Sequence, residues 1–238
     1  MTDSDIETRR SRVRYWTRRA RRNLGIALVA AVVTLVVFRL ATDKNSWAFR
    51  ASMATGYASV ALMAWALAIG PWRLLRGRSV ATSVDLRRDV GIWSAVLALA
   101  HVVTGLRVHM RGDWFNYFMY RPRDGQHLLP FRTDPFGVAN WTGLAAMAVL
   151  FFLVTISNDR SLRTLGATRW KRFQRVTYAA AALTALHGLA FQLMDRRSAP
   201  FILVFAAMVV VVTVLQLRGR HLFGSRGRAA PTTEGIDA

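Results

Sequence analysis

The sequence predicts an all-α, polytopic membrane protein, a six-transmembrane-helix bundle with both termini on the cytoplasmic side. Three observations carry this expectation: six long apolar blocks, a one-sided distribution of basic residues, and no segment that reads as a strand–helix–strand unit. The blocks are residues 24–38, 52–72, 90–106, 140–157, 176–194 and 201–217, and the third and fifth each carry one histidine. A hydrocarbon layer of ~30 Å needs roughly 17–25 helical residues, and every block reaches that length with its flanks. Buried helices of soluble proteins are shorter and apolar on one face only.

The first block differs from a cleaved signal peptide. More than twenty polar residues precede it, and no A-x-A-like site follows Phe38. The expectation is a retained first helix, with Arg39 snorkelling to the interface.

The chain has 33 Lys plus Arg against 13 Asp plus Glu, a net charge of +20. With the N-terminus inside, 23 of the basic residues fall on inner segments and 10 on outer ones. That asymmetry is the positive-inside pattern of a multi-pass protein. It assigns the excess charge to orientation in an inner (cytoplasmic) membrane and to anionic membrane lipids, not to nucleic acid. Cysteine is absent, which excludes thiolate iron–sulfur ligation, C-x-x-C-H haem attachment, a thiol nucleophile and disulfides. No G-x-G-x-x-G follows a strand pattern, so no fused nicotinamide or flavin-dehydrogenase domain is expected, and no P-loop is present.

Three regions follow from the pattern. Residues 1–23 form a basic cytoplasmic N-terminal segment, expected as a surface-lying or frayed helix; residues 24–217 form the transmembrane domain; residues 218–238 form a flexible cytoplasmic tail. Pro71 is expected to break or kink the second helix near the interface. The longest connection, residues 109–138, holds Trp114, Phe115, Tyr117, Phe118 and Tyr120. It reads as an interfacial segment with aromatic anchors, with a docking or lid role left open. Residues 195–199 make a very short outer turn, with Pro200 opening the last helix.

Ionisable groups within apolar helices are costly and mark functional positions. The two clear cases are His101 in the third block and His187 in the fifth. Both helices run inside to outside in this topology. His101 lies 13 residues past Arg88 and His187 lies 12 past Arg175, about 20 Å and 18 Å of helix, so the imidazoles share one depth. Two neutral imidazoles on different helices at one level suit the axial positions of a haem, with both positions filled for electron transfer. Small residues nearby (Ala98, Ala100, Gly105, Gly188) leave room for a flat macrocycle, and Arg107, Arg111 and Arg39 at the outer end are expected to meet its propionates. The alternative is that each histidine only bonds a neighbouring helix. A zinc or copper site lacks a third ligand at that level. His109, eight residues further along, about 12 Å outward and ~80° around the helix, is expected at the interface; His127 and His221 fall in a loop and the tail.

The runs "TGYASVALMAWALAIGPWRLL", "LRRDVGIWSAVLALAHVVTGL" and "GLAAMAVLFFLVTISNDRSLRTLGATRWKRFQRVTYAAAALTALHGLAF" resemble the ferric-reductase-like transmembrane domain over residues 55–194. Within that group they most resemble the MsrQ-type haem-binding membrane subunits of the methionine sulfoxide reductase system. The resemblance implies a six-helix b-type cytochrome with His101 and His187 as iron ligands. The family pattern has a further histidine where this chain has Gln174, and Arg87 stands near the opposite inner position. Neither is a usual haem ligand. One haem b per chain is therefore expected, with Gln174 and Arg87 free to meet a quinone or a flavin such as FMN.

The expected function is the electron-transfer subunit of an oxidoreductase system. Electrons would pass from quinol, flavin or a separate reductase to an acceptor or redox partner protein on the outer face. Arg87, Arg88, Trp170, Lys171 and Arg172 would surround the cytoplasmic entrance, holding a flavin phosphate or donor protein or forming a lipid-facing basic collar. Two alternatives remain open: a structural or assembly subunit with reduced or no redox activity, and a metal-chelate reductase.

Overall fold

A computed structural model describes residues 3–41, 46–78, 84–121 and 130–228. Its long helices are α1 (Asp3–Leu40), α2 (Trp47–Leu75), α3 (Val84–Gly105), α5 (Pro135–Thr155), α6 (Asp159–Gln174), α7 (Thr177–Met194) and α8 (Ala199–Arg228). A 3-10 turn (Met110–Gly112) and the one-turn helix α4 (Phe115–Phe118) lie between α3 and α5. Among the described residues the only extended pairing is one isolated bridge, Met119 with Phe131. Side-chain caps set several helix starts. Ser46 accepts from the Phe49 N–H at 3.3 Å, Asp134 from Gly137 at 2.9 Å just before Pro135, and Asn158 from Ser161 at 2.8 Å.

Among the described residues, five stretches are long and apolar enough to cross a membrane: Arg9–Leu40, Trp47–Leu75, Pro135–Thr155, Asp159–Met194 and Ala199–Phe223. The third predicted span, α3, is not among them. It opens on Asp85, Arg87, Arg88 and Asp89 and carries His101, which together lower its apolarity.

Helix α2 is central, packed on α3 and α8, while α5 pairs with α7 and α1 lies across α2 and α3. The α2–α3 seam is pinned by a reciprocal pair: Ser59 Oγ donates to the Ser94 carbonyl and Ser94 Oγ to the Ser59 carbonyl, each at 2.9 Å. Met63, Leu67, Ala95, Leu150, Leu153 and Ala180 bury the meeting of α2, α3, α5 and α7. Outward positions such as Leu28, Leu99, Phe151, Leu186 and Leu203 remain exposed and apolar, the surface a lipid-facing helix presents.

At four places the structure adds to the sequence expectations. The arginine-rich N-terminal segment is continuous with α1 and is tied down: Arg19 and Arg22 reach Asp89 of α3, buried at 1% exposure, at 3.1 Å and 2.5 Å. Arginine is a good helix former, so the run extends the helix once Asp89 gives it a partner. Helix α2 continues through Pro71 to Leu75, and a Cβ on Gly219 of α8 would sit 3.0 Å from the Pro71 Cβ, so the helices touch there. The stretch from residue 218 is still helical to Arg228, and residues 229–238 lie outside the described residues. The connection before α7 is itself a helix, α6, broken at Gly166 (φ 71°) and ending at Gln174.

Candidate functional site

The structure brings His101 and His187 together. Their ring centroids are 5.9 Å apart with planes at 80°, and both line a cavity of about 190 Å3. The two are held in the same way. His101 Nδ1 donates to the Ser52 carbonyl of α2 at 2.8 Å, with Ser52 Oγ also 3.2 Å away. His187 Nδ1 donates to the Ala139 carbonyl of α5, also at 2.8 Å. A carbonyl only accepts, so each Nδ1 carries the proton and each Nε2 keeps its lone pair for a metal.

A glycine lies one turn beyond each accepting carbonyl, Gly56 after Ser52 and Gly143 after Ala139. A Cβ on Gly56 would sit 2.9 Å from His101 Nδ1, and one on Gly143 2.6 Å from His187 Nδ1. The bare backbone lets each imidazole lie against the facing helix and reach the carbonyl above. One device, a carbonyl followed four residues later by glycine, thus serves both α2–α3 and α5–α7. Sequence reasoning missed it, although a signal existed: a lone glycine inside an apolar helix costs about 1 kcal/mol against alanine and calls for a packing reason.

Beyond His187 the cavity runs to the C-terminal end of α7. Phe191 sits 5.0 Å from His187 and stacks at 25° on His109, whose Nε2 is 4.0 Å from Asp195. His109 thus lines the same cavity as the facing pair. The aromatic connection folds inward as a cover: Tyr117, only 2% exposed, donates to the Gly105 carbonyl at 3.0 Å and accepts from the His109 N–H at 2.7 Å, whereas Trp114 stays exposed. Arg197, from the turn between α7 and α8, also enters the cavity. Burial lowers its pKa from the ordinary arginine value, and the neighbouring Asp195 carboxylate opposes that shift.

The other singled-out residues lie elsewhere. Arg39, Arg107 and Arg111 are exposed, and none lines the cavity. Gln174 is half-buried with Nε2 unpartnered, and Arg87 packs over Gly70; neither reaches the cavity. Arg88 is engaged by Asp159 at 2.6 Å and Asp85 at 3.5 Å, and the Trp170 indole donates to the Ile156 carbonyl at 3.0 Å. Both therefore act as struts, while Lys171 and Arg172 are exposed. His221 is exposed on α8, and His127 lies outside the described residues.

The chain matches the family described as ferric reductase like transmembrane component over residues 55–185, more than half its length. It belongs to that family. The matched stretch contains His101 and ends two residues before His187. The chain is also 31% identical, over 138 residues, to the protein-methionine-sulfoxide reductase heme-binding subunit MsrQ of Deinococcus radiodurans. That alignment covers 58% of this chain and spans about 60% of the length of the curated relative. No solved structure matches it. Family membership and the apolar helices together make this a multi-pass, all-α membrane protein.

Proposed function

We propose that this protein is the haem-binding electron-transfer subunit of a membrane oxidoreductase, with one haem b held between His101 and His187. The carrying observation is the facing pair itself, two Nδ1-anchored imidazoles with centroids 5.9 Å apart. The two rings are close enough that the free Nε2 of each would hold one metal between them. Among the described residues no group of three or more His, Cys, Asp or Glu is placed to hold a bare ion. A metal with two protein ligands then needs further donors from its own macrocycle, as haem provides. A haem held by His101 and His187 would supply one-electron transfer. The chain's part is to fix the two ring tautomers, exclude water through apolar walls, and close the outer end with Tyr117 and its neighbours.

In this reading α3 is a sixth crossing, its charged first turns standing at the inner interface with Arg88 and Asp89 neutralised by partners. The basic segments lie on the cytoplasmic side of an inner membrane, with both termini inside. The relative's name describes a haem-binding subunit of a protein-methionine-sulfoxide reductase; by analogy, electrons leave this chain for a reductase partner on the outer face. Gln174, with its buried unpartnered Nε2, and Arg87 are assigned to a quinone or flavin donor at the inner level. The reduced-minus-oxidised absorption spectrum of purified protein tests the proposal. A b-type, bis-histidine signature is expected; a protein without haem bands would sink it in favour of a structural subunit.

A further inference from the structure

The outer wall of the cavity holds a buried cation with an open hydrogen-bond position. The Arg197 side chain is 14% exposed; its Nη2 donates to Asp195 Oδ2 at 2.8 Å, and its guanidinium lies 4.4 Å from the Phe49 ring centroid. Its Nη1 is buried with no partner. None of the neighbouring polar groups bonds to it. Gln192 Nε2 donates to Tyr57 Oη at 2.5 Å, Tyr57 donates on to the Phe201 carbonyl at 3.0 Å, and Gln192 Oε1 is itself unpartnered. A buried guanidinium N–H left unmatched is costly, and in a native protein it points to a missing acceptor. The acceptor that suits it best is anionic, because charge-assisted bonds to carboxylates are the strong ones. Asp195 takes one edge of the fork, and Gln192 Oε1, an acceptor only, does not compete for an acid.

We propose that Arg197 is the carboxylate-binding residue of this cavity and holds a propionate of the cofactor seated between His101 and His187. The inference rests on the haem reading above. It assigns this role to a residue in the short outer turn in place of the exposed Arg107 and Arg111. Arg197 is fixed by Asp195 and Phe49 before any ligand arrives, so little side-chain freedom is lost on binding.

Absorbance titration of the full chain, reconstituted in detergent from haem-limited cells, tests this with haemin and with haemin dimethyl ester, which lacks the acid groups. Wild type should bind haemin more tightly than the ester. Arg197→Gln should weaken haemin by about tenfold or more, as for loss of a hydrogen bond to a charged group, and leave the ester within about twofold. Arg197→Lys should recover part of the preference, and millimolar succinate should leave haemin binding unchanged. Equal loss of both ligands in Arg197→Gln, a loss that falls on Arg107→Gln instead, or competition by succinate overturns the assignment alone. Failure of wild type to bind either ligand overturns the haem reading together with it.

Discussion

His101 and His187 face each other at 5.9 Å between ring centroids, and each is anchored through Nδ1 to a carbonyl that lies four residues before a glycine. The tautomer and the ring position therefore come mainly from backbone carbonyls of two different helices, α2 and α5, which cannot turn away as a side-chain partner could. The arrangement makes the two glycines as important as the histidines they support.

Gly56→Ala and Gly143→Ala are expected to displace the facing imidazoles, because the added Cβ would lie 2.9 Å and 2.6 Å from Nδ1. Overpacking of this kind costs about 1–3 kcal/mol, whereas glycine to alanine at an unhindered helix position would gain about 1 kcal/mol. The sign is diagnostic. A lowered melting temperature with a shifted haem absorption band, larger for Gly143→Ala, is the expected result; stabilisation with an unchanged spectrum would contradict it.

Asp89 receives Arg19, Arg22 and Asn23 from α1 while almost wholly buried in α3. Asp89→Asn should leave two guanidinium groups without their countercharge. Breaking a buried pair costs on the order of 3 kcal/mol, so a fall in thermal stability and new protease cleavage within residues 9–22 are expected. Unchanged protection of that segment would show that the arginine run is held by something else.

The native sequence has no cysteine, so single-cysteine labelling reads topology without background. Ser79→Cys and Ser225→Cys should react only from the cytoplasmic side, and Gly125→Cys only from the outer side. Labelling of Ser79→Cys and Gly125→Cys from one side would remove α3 as a crossing and undo the depth argument for the histidines.

Asp134 caps α5 and pairs with Arg132, whose hydrogen bond is the main cause holding the Asp134 pKa below the usual 3.8. A depressed folded pKa means the stabilisation is present above about pH 4 and is lost as pH falls through the folded value. Asp134→Asn keeps a capping oxygen but loses the charge. Its stability deficit against wild type should be measurable at pH 7 and shrink below pH 4; a deficit that stays constant down to pH 2 would assign the effect to packing.

Much of this architecture was legible because a bilayer imposes long apolar blocks, and because equal spacing from Arg88 and Arg175 puts His101 and His187 at one depth. What escaped the sequence depends on tertiary partners. An arginine run looks solvated until Asp89 is placed beside it. Arg197 sits in a turn so short and charged that it reads as exposed, yet its side chain is 14% exposed, lying over Phe49 of α2 and paired with Asp195. Tyr117 reads as a headgroup anchor because nothing local reveals that its hydroxyl meets the end of α3. Nothing local shows that Gly166 and the break after Gln174 make α6 an element separate from the helix that carries His187.

Haem extraction with protein quantification, on wild type and single variants, tests the central claim most directly. One haem per chain is expected in wild type, close to none in His101→Ala and in His187→Ala, and one still in His221→Ala. Gln174→His alone should not recruit a second haem, since an arginine at position 87 stays protonated and cannot ligate iron. Full haem with an unchanged spectrum in His187→Ala, or a wild-type ratio near two, would contradict the account.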